Sequence, residues 1–186
     1  MGASAKLDRS AILEAAFEVL NQEGLEGLSL RLVAEQLGVQ APALYWHVRN
    51  KAELISLMAA TFAEASGRAV LAGRTWQDKL ILSAQARRQA MLARRDSARV
   101  CVMAQPLRSA AEAAPQLTAP LVTAGLTSRQ ALSYQAAVIA YTVGWVAYEQ
   151  SQAMHDFLTQ LIDFDASFTT GLHAMVRGFG AGESGS

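Results

Sequence analysis

The sequence predicts an all-α protein with an N-terminal domain of three helices and a larger helical C-terminal domain. Apolar residues recur at the three- and four-residue spacing of helices over most of the 186 residues, and the alternation typical of strands is almost absent. Cap residues and helix-ending glycines divide this pattern into separate helices. Since 52% of the residues are hydrophobic and the net charge is 0, we expect a globular protein with a sizeable core.

The first helix is expected to begin after Asp8, which can accept a hydrogen bond as its N-cap, and to close at Gly24. One face of this helix is apolar. Its residues are Ile12, Ala16, Val19 and Leu20.

The second and third helices are separated by a tight turn. Ser29 is a good N-cap for the second helix, and Gly38 ends it because glycine accepts the left-handed conformation. Pro42 suits the first turn of the third helix, whose narrow inner seam is Leu44 and Val48. Two short helices around such a turn form a helix-turn-helix, which can place its second helix in a DNA groove.

Three ring-bearing residues, Tyr45, Trp46 and His47, follow one another on this third helix. Consecutive helical positions point about 100° apart, so at least one ring faces outward. Taken singly, each ring has an alternative interpretation, in which Tyr45 and Trp46 pack on neighbouring helices and His47 is an ordinary surface residue. Together, beside Arg49 and Lys51, they favour a surface that contacts phosphates and base edges.

The charge of this region is unusual for a DNA-binding domain, because residues 1–60 carry five basic and seven acidic side chains. The acidic residues concentrate on the first helix and its exit, whereas Arg31, Arg49 and Lys51 flank the third helix. Few phosphate contacts per half-site, and hence a modest salt dependence of binding, are expected.

Asn50-Lys51-Ala52-Glu53 has the form of a capping box and predicts a connecting helix over residues 51–66. The expected domains are therefore residues 1–50 and 51–180, followed by a disordered tail at 181–186. The sequence shows no internal repeat.

Later helices are indicated by spacing and caps. One helix is predicted to end near Arg94, because apolar residues recur at helical spacing before it: Trp76, Leu80, Ala84 and Met91. Gln105-Pro106 marks a break, the segment around Pro115 and Pro120 is expected to be short or kinked, and Gly125 ends it. The second capping box, Thr127 to Gln130, opens a long helix through Tyr148, and a final helix is expected from about Asp156 to Phe179.

Several classes of protein are disfavoured. No apolar run reaches the roughly 18 to 20 residues that span a bilayer, and Met1–Lys6 lacks an apolar signal region, so a cytoplasmic protein without membrane contact is expected. The lone Cys101 forms neither an intrachain disulfide nor a zinc signature, and His155 and His173 lack metal partners at useful spacing. No metal, cofactor or catalytic set is indicated, so we do not expect an enzyme.

The run from Leu44 to Lys51, preceded by the Gly38 turn and Pro42, resembles the DNA-binding domain of the TetR family of bacterial repressors. The resemblance implies that the third helix is the recognition helix, that Arg31 contacts a base, and that Lys51 lies beside a phosphate. Ala41 and Ala43 depart from the tetracycline repressors, which have polar base-contacting residues there, so a different operator is implied. The predicted DNA-binding residues are Ser29, Arg31, Ala41, Pro42, Ala43, Tyr45, Trp46, His47 and Lys51.

The C-terminal part resembles the tetracycline-repressor branch of that family through Tyr141 to Gly144, Glu149-Gln150 and the segment from Phe168 to Phe179. The resemblance implies a homodimer held by a four-helix bundle of the eighth and last helices. The predicted interface residues are Gly144, Phe168, Gly171, Leu172 and Met175. The alternative is that the glycines only relieve crowding within one subunit.

The tetracycline contacts of that branch are not matched. Cys101, Ala104, Gln105, Ser83, Arg87 and Gly67 stand where its drug and metal contacts are, and its metal-binding glutamate aligns with Tyr148, one residue before Glu149. The resemblance therefore implies a shared fold and a different ligand, with the pocket-covering helix before the last helix absent or reduced.

A hydrophobic or aromatic small molecule is the expected effector. The predicted effector-binding residues are Arg87, Met91, Cys101, Met103, Gln105, Pro106, Val138, Tyr141, Trp145 and Tyr148. The alternative for Arg87 is that it is an exposed surface arginine. For the other residues, the alternative is that they belong to the ordinary hydrophobic core.

The expected function is a transcriptional repressor that binds a palindromic operator as a dimer and is released when an effector shifts its conformational population. The alternative is a helical protein-interaction module that uses Tyr45 and Trp46 as apolar anchors.

Overall fold

The computed structural model describes residues 7–181, and this part of the chain is all-helical. The all-α fold class and the three N-terminal helices are therefore confirmed. The helices are α1 (Arg9–Gly27), α2 (Leu30–Leu37), α3 (Ala41–Tyr45), α4 (Lys51–Val70), α5 (Trp76–Leu92), α6 (Ser97–Met103), α7 (Ala110–Val122), α8 (Ser128–Gln150), α9 (Gln152–Leu158) and α10 (Phe164–Ala181).

The described chain forms two compact units. Unit 1 contains the described residues up to Thr61 together with Arg94–Leu107, and unit 2 contains Phe62–Ala93 together with the described residues from Arg108 onward. Unit 1 thus extends past residue 50 and includes α6, a stretch to which the sequence pattern assigned no helix of its own.

The predicted helix ends are confirmed at several positions. Asp8 accepts a hydrogen bond from the Ala11 amide at 2.9 Å, and Gly24 interrupts α1 with a φ of 70°. Gly38 caps α2 in the left-handed conformation, and Thr127 and Gln130 form the capping box that opens α8. Gly125, with a φ of 109°, follows α7 as predicted.

Other boundaries differ from the sequence prediction. The connecting helix runs to Val70 rather than residue 66, and α7 continues through Pro115 and Pro120 over 13 residues. The single final helix predicted from Asp156 is wrong, because α9 ends at Leu158 and α10 begins anew at Phe164. Asp163 marks the new start, since its carboxylate accepts a hydrogen bond from the Ala166 amide at 2.7 Å. The segment before the last helix, where a pocket-covering helix was expected to be absent or reduced, contains the seven-residue α9.

The predicted tail largely lies outside the described residues. Ala181 is the last residue of α10, and residues 182–186 are not among those described. Met1–Lys6, on which the expected lack of a signal region rested, also lie outside them.

In unit 1, polar contacts join the start of α6 to the end of α1. The Asp96 carboxylate accepts a hydrogen bond from the Leu25 amide at 2.9 Å, and the Arg95 guanidinium donates to the Asn21 and Gln22 carbonyls at 3.3 Å each. These bonds satisfy backbone groups that the break at Gly24 leaves without helical partners. The end of α1 is therefore held by side chains that are about 70 residues away in sequence.

Unit 2 is built on α5, α7, α8 and α10. Trp76, Leu80 and Ala84, the buried face predicted for α5, pack in its core with residues of the other three helices. The remaining fully buried members of this cluster are Leu121, Leu126, Ala131, Val138, Phe168, Leu172 and Val176.

A buried ion pair lies beside this core. Arg88 donates to both carboxylate oxygens of Glu149, at 2.8 and 2.7 Å, and its guanidinium stacks 4.8 Å from the centre of the Phe168 ring. Only 12% of the Arg88 side chain and 10% of the Glu149 side chain are exposed. Arg88 also pairs with the exposed Asp165 of α10 at 2.6 Å. Removing Arg88 would leave the buried Glu149 carboxylate uncompensated, so this arginine ties α5 to α8 and α10.

Candidate nucleic-acid interface

The short helix α3 ends at Tyr45, so the prediction that Trp46, His47 and Val48 also lie on the third helix is wrong. Two buried side chains, one in α3 and one in the turn after it, anchor this segment. Leu44 is 0% exposed and Val48 is 1% exposed, whereas the residues between them face outward. Tyr45 is 53% exposed and Trp46 is 89% exposed, and His47 is exposed as well. The predicted outward orientation of the rings is therefore confirmed, and the interpretation that Trp46 packs on a neighbouring helix is wrong.

An indole with this exposure is unusual, because aromatic side chains gain free energy mainly by burial. The Trp46 Nε1–H is a donor only, and it has no hydrogen-bond partner among residues 7–181. The face around α3 thus offers a large ring and a free donor to a partner outside the chain.

The α2 residues predicted to contact DNA are arranged around its N-terminus. Ser29 is the N-cap, and its hydroxyl oxygen accepts a hydrogen bond from the Leu32 amide at 3.3 Å. Arg31 is exposed and forms an ion pair with Glu35 at 2.6 Å, one helical turn further on. Any base contact by Arg31 therefore competes with this exposed pair, which is worth little in water.

The start of α3 presents short side chains. Ala41 is the first residue of the helix and Pro42 the second, Pro42 is exposed, and Ala41 and Ala43 are half-buried. None of the three side chains carries a hydrogen-bonding group, so only apolar contact is available at these positions.

Lys51 has a structural role that the sequence prediction missed. Its Nζ donates to the Leu25 carbonyl at 2.8 Å and to the Glu26 carbonyl at 3.3 Å, near the end of α1. Two of its three donors are occupied in this way. If Lys51 contacts a phosphate as predicted, its ammonium group must do so while it also binds these two carbonyls near the end of α1.

The predicted capping box at the start of α4 is formed in part. The Asn50 side chain accepts a hydrogen bond from the Glu53 amide at 2.9 Å, but Glu53 reaches back to Arg49 rather than to Asn50. The Arg49 amide and its Nε donate to Glu53 at 2.8 and 3.1 Å. Hydrogen bonds from the Arg49 side chain and backbone lower the pKa of Glu53, so this carboxylate stays ionised and paired.

A groove of about 350 Å³ opens beside the rings of α3. Its lining residues come from α1, α4 and the turn after α3, and they are Arg9, Ile12, Leu13, Trp46, His47, Val48, Glu53 and Leu57. The sequence analysis singled out Trp46 and His47 but missed Arg9, because a cation on the first helix carries no motif.

The residues predicted to bind an effector divide between the two units. Four of them belong to unit 1: Cys101, Met103, Gln105 and Pro106. The backbone N–H of Gln105 donates a hydrogen bond to the Ser56 hydroxyl at 2.9 Å. In unit 2, Met91 and Val138 are 0% and 2% exposed and are buried within the chain. Arg87, Tyr141 and Trp145 are half-buried and Tyr148 is exposed.

Aromatic rings cluster around Trp145 in unit 2. Its ring centre lies 5.6 Å from Tyr141, 6.1 Å from Phe164 and 6.1 Å from Phe168. The Trp145 Nε1–H is buried and has no hydrogen-bond partner in the described chain. Such an unpaired donor is costly inside a protein. Phe164 and the neighbouring Arg88 were missed by sequence reasoning, because their proximity to Trp145 depends on how α5, α8 and α10 pack.

The predicted dimer residues fall into two groups. Phe168 and Leu172 are 1% and 0% exposed inside a single chain, so their assignment to a dimer surface is corrected. At Gly171 a Cβ would lie 2.4 Å from the Tyr141 hydroxyl, which donates to the Phe168 carbonyl at 3.0 Å. That glycine therefore relieves crowding within the subunit.

Gly144, unlike Phe168, Gly171 and Leu172, lies on the surface of the subunit. It is exposed, and apart from its chain neighbours and the adjacent backbone of α8 no atom of the described chain lies within 4 Å of a Cβ built on it. Met175 is half-buried and packs against the core of unit 2.

Two further features bear on the class of protein. None of the helices within residues 7–181 is long and apolar enough to cross a membrane. Over the same residues, His, Cys, Asp and Glu side chains form no group of three that could hold a metal ion.

Comparison with known proteins gives two family matches. Residues 12–58 match the model described as bacterial regulatory proteins, tetR family, and residues 71–160 match the one described as tetracyclin repressor-like, C-terminal domain.

Individual relatives agree with these matches. The tetracycline repressor protein class A from transposon 1721 of Escherichia coli is 39% identical over 78% of this chain and 68% of its own length. The class D repressor of Escherichia coli is 30% identical over 94% of this chain and 90% of its own. The solved structure of TetR-Q116A from Acinetobacter baumannii AYE in complex with minocycline is 32% identical, covers 95% of this chain and 98% of its own, and superposes with a TM-score of 0.77.

The contacts of Lys51 lead to a prediction about stability. Replacing Lys51 by methionine keeps the apolar stem but removes the donors to Leu25 and Glu26, so the free energy of unfolding should fall by about 1–3 kcal/mol. Trp46→Ala removes an exposed ring and should change it by less than about 0.5 kcal/mol. Urea unfolding monitored by circular dichroism measures both. Equal stability of Lys51→Met and the wild type would show that the α1 contacts contribute nothing.

Proposed function

Because this chain belongs to the TetR family of bacterial regulatory proteins, we propose that it is a transcriptional repressor that a small-molecule effector releases from a palindromic operator. The observation that supports the proposal best is the outward set Tyr45, Trp46 and His47 at the end of α3 and in the turn after it, a segment anchored by Leu44 and Val48. This arrangement suits a recognition helix, because the anchoring residues set its angle while the rings remain free for the major groove. The relatives are regulators, and we propose no enzymatic activity for this chain.

Base recognition is assigned to α2 and α3. Arg31 can exchange Glu35 for guanine acceptors, the commonest specific contact of an arginine in the major groove. Ala41 and Ala43 offer methyl groups, which suit contact with thymine methyl groups. Ser29, Pro42 and Lys51 complete the proposed surface. A chain with these residues should recognise an operator sequence different from that of the tetracycline repressors. We propose that it acts in the cytoplasm, where bacterial DNA is located.

We assign dimerisation to the exposed side of α8 around Gly144. Leu132, Ala136, Ala140 and Gly144 are all exposed and follow one another at four-residue spacing. Three of these four residues, Ala136, Ala140 and Gly144, are small and would let a second helix approach closely, as in a bundle, while Leu132 offers apolar contact. A symmetric dimer would present two copies of α3 to half-sites one helical turn apart, about 34–36 Å.

The effector is assigned to unit 2, around Tyr141, Trp145 and Tyr148. A planar molecule with a hydrogen-bond acceptor suits aromatic walls beside the unpaired Trp145 donor. Arg87, which belongs to unit 2 and is half-buried, stays a candidate for this site. The predictions for Cys101, Met103, Gln105 and Pro106 concern unit 1 and are not part of this assignment. Preferential binding to a conformation with misaligned recognition helices would shift the population away from the DNA-bound form.

Operator binding can be tested by selecting DNA from a random library. The full chain is used to select the duplexes, and binding is measured by fluorescence anisotropy. Trp46→Ala and His47→Ala should weaken binding to the selected duplex by roughly 10- to 100-fold, since each good contact contributes about 1–3 kcal/mol. Leu71→Ala, which removes a 75% exposed side chain elsewhere, is the matched control and should bind as the wild type does. A wild type that binds the selected duplex no more tightly than random DNA would rule out the repressor.

Dimerisation can be separated from subunit stability with two glycines. Gly144→Leu should raise the dimer dissociation constant at least tenfold in sedimentation equilibrium, with an unchanged or higher melting temperature, because leucine favours a helix more than glycine does. Gly171→Ala should instead lower the melting temperature, because the added Cβ displaces the Tyr141 hydroxyl. An unchanged dissociation constant for Gly144→Leu would place the interface elsewhere.

The effector should differ from that of the tetracycline repressors. The structure of TetR(class A) in complex with 5a,6-anhydrotetracycline and magnesium supplies the probe and a positive control. That pair should leave the melting temperature of this chain and its DNA affinity unchanged, because the residues at the corresponding positions differ. A stabilisation of this chain comparable to that of the class A protein, measured under the same conditions, would contradict the assignment.

A further inference from the structure

Unit 1 contains seven described basic residues, and six of them use their side chains on partners within the unit. Arg31 pairs with Glu35, Arg49 with Glu53, Arg94 with Glu14 and Arg99 with Glu26, while Lys51 and Arg95 donate to carbonyls of α1. Arg9 is the seventh. Among the residues that the structure describes, it has no hydrogen bond or ion pair, and it is exposed.

This unpaired guanidinium lies on the groove beside α3. Arg9 lines it together with Trp46 and His47, whose side chains are likewise without hydrogen bonds in the described chain. The other charged residue of the groove is Glu53, whose carboxylate is already bound by Arg49. With that acid neutralised by its own partner, the groove keeps a net positive charge from Arg9.

The position of Arg9 on its helix is electrostatically unfavourable. It is the first residue of α1, where the helix dipole favours acidic side chains; the acid at this helix start is the N-cap Asp8, whose carboxylate accepts from the Ala11 amide and is not paired with Arg9. Local helix stability therefore gives no reason for an arginine at this position. Such a conflict between local preference and the residue present is expected where a residue serves a function.

We propose that Arg9 binds a backbone phosphate of the operator, together with the Trp46 indole N–H and the His47 imidazole. A guanidinium can bind two phosphate oxygens at once, and an indole N–H and an imidazole can each donate a further hydrogen bond. This inference rests on the proposed function and adds a phosphate contact on α1 to the contacts from α2 and α3. Because a phosphate carries no sequence information, Arg9 positions the protein on DNA and does not read bases.

The salt dependence of binding distinguishes a phosphate contact from other roles. Each phosphate contact releases condensed counterions and adds about 0.9 to the slope of log K against log salt, so a dimer that loses two contacts should lose about 1.8. Arg9→Gln should therefore show this smaller slope between about 50 and 300 mM NaCl. It should also bind the selected duplex and a scrambled duplex more weakly by the same factor, roughly tenfold or more.

Three controls accompany this measurement in the full chain. Arg9→Lys keeps the charge and should retain most of the slope. Arg129→Gln removes an exposed arginine from the first turn of α8, in unit 2, and should leave the slope unchanged. The melting temperature of Arg9→Gln should equal or slightly exceed that of the wild type, because a cation is removed from a helix N-terminus.

Two outcomes would overturn the inference. An unchanged slope in Arg9→Gln would mean that no counterions are released at this site, and a loss confined to the selected duplex would mean that Arg9 reads bases. Both outcomes presuppose tight binding by the wild type. Failure of the wild type itself to prefer any duplex would instead remove the proposed function.

Discussion

The burial of Leu44 and Val48 is the constraint on which the candidate interface depends. A helix of five residues has too few internal hydrogen bonds to be stable alone, so α3 depends on the burial of Leu44 within it and of Val48 in the turn that follows. Tyr45, Trp46 and His47 lie between these two anchors and are exposed. The 89% exposure of Trp46 therefore depends on the burial of its neighbours Leu44 and Val48.

The charges of unit 1 are largely satisfied internally, which reconciles its acidic balance with the proposed DNA-facing surface. Acids on α1, α2 and α4 pair with arginines of the same unit, and these pairs hold α6 and the start of α4 in place. Little unpaired positive charge remains for long-range attraction of DNA. Affinity must then come from short-range contacts around α3 and from the few cations that can exchange or offer a partner.

In unit 2, glycine, aromatic and arginine residues that could serve a binding surface instead pack inside the subunit. Gly171 allows the Tyr141 hydroxyl to approach α10 and bond to the Phe168 carbonyl, and Arg88 is neutralised by Glu149 over the same ring. Gly171 and Phe168, which the sequence analysis assigned to a dimer interface, therefore make their contacts within one subunit. Gly144, by contrast, lies on an exposed part of α8 where a Cβ would meet no side chain or other helix of the described chain.

The sequence by itself determined the all-α class, most helix ends and the outward rings, because caps, left-handed glycines and helical spacing act over a few residues. Asp8, Gly38 and the capping box at Thr127 are such local signals. Tertiary structure alone decided that Lys51 closes α1 26 residues away and that Gly171 faces Tyr141 rather than open space. The physical reason is that a side chain's partner depends on which distant backbone or ring the packed helices bring within reach, and helical periodicity carries no information about that.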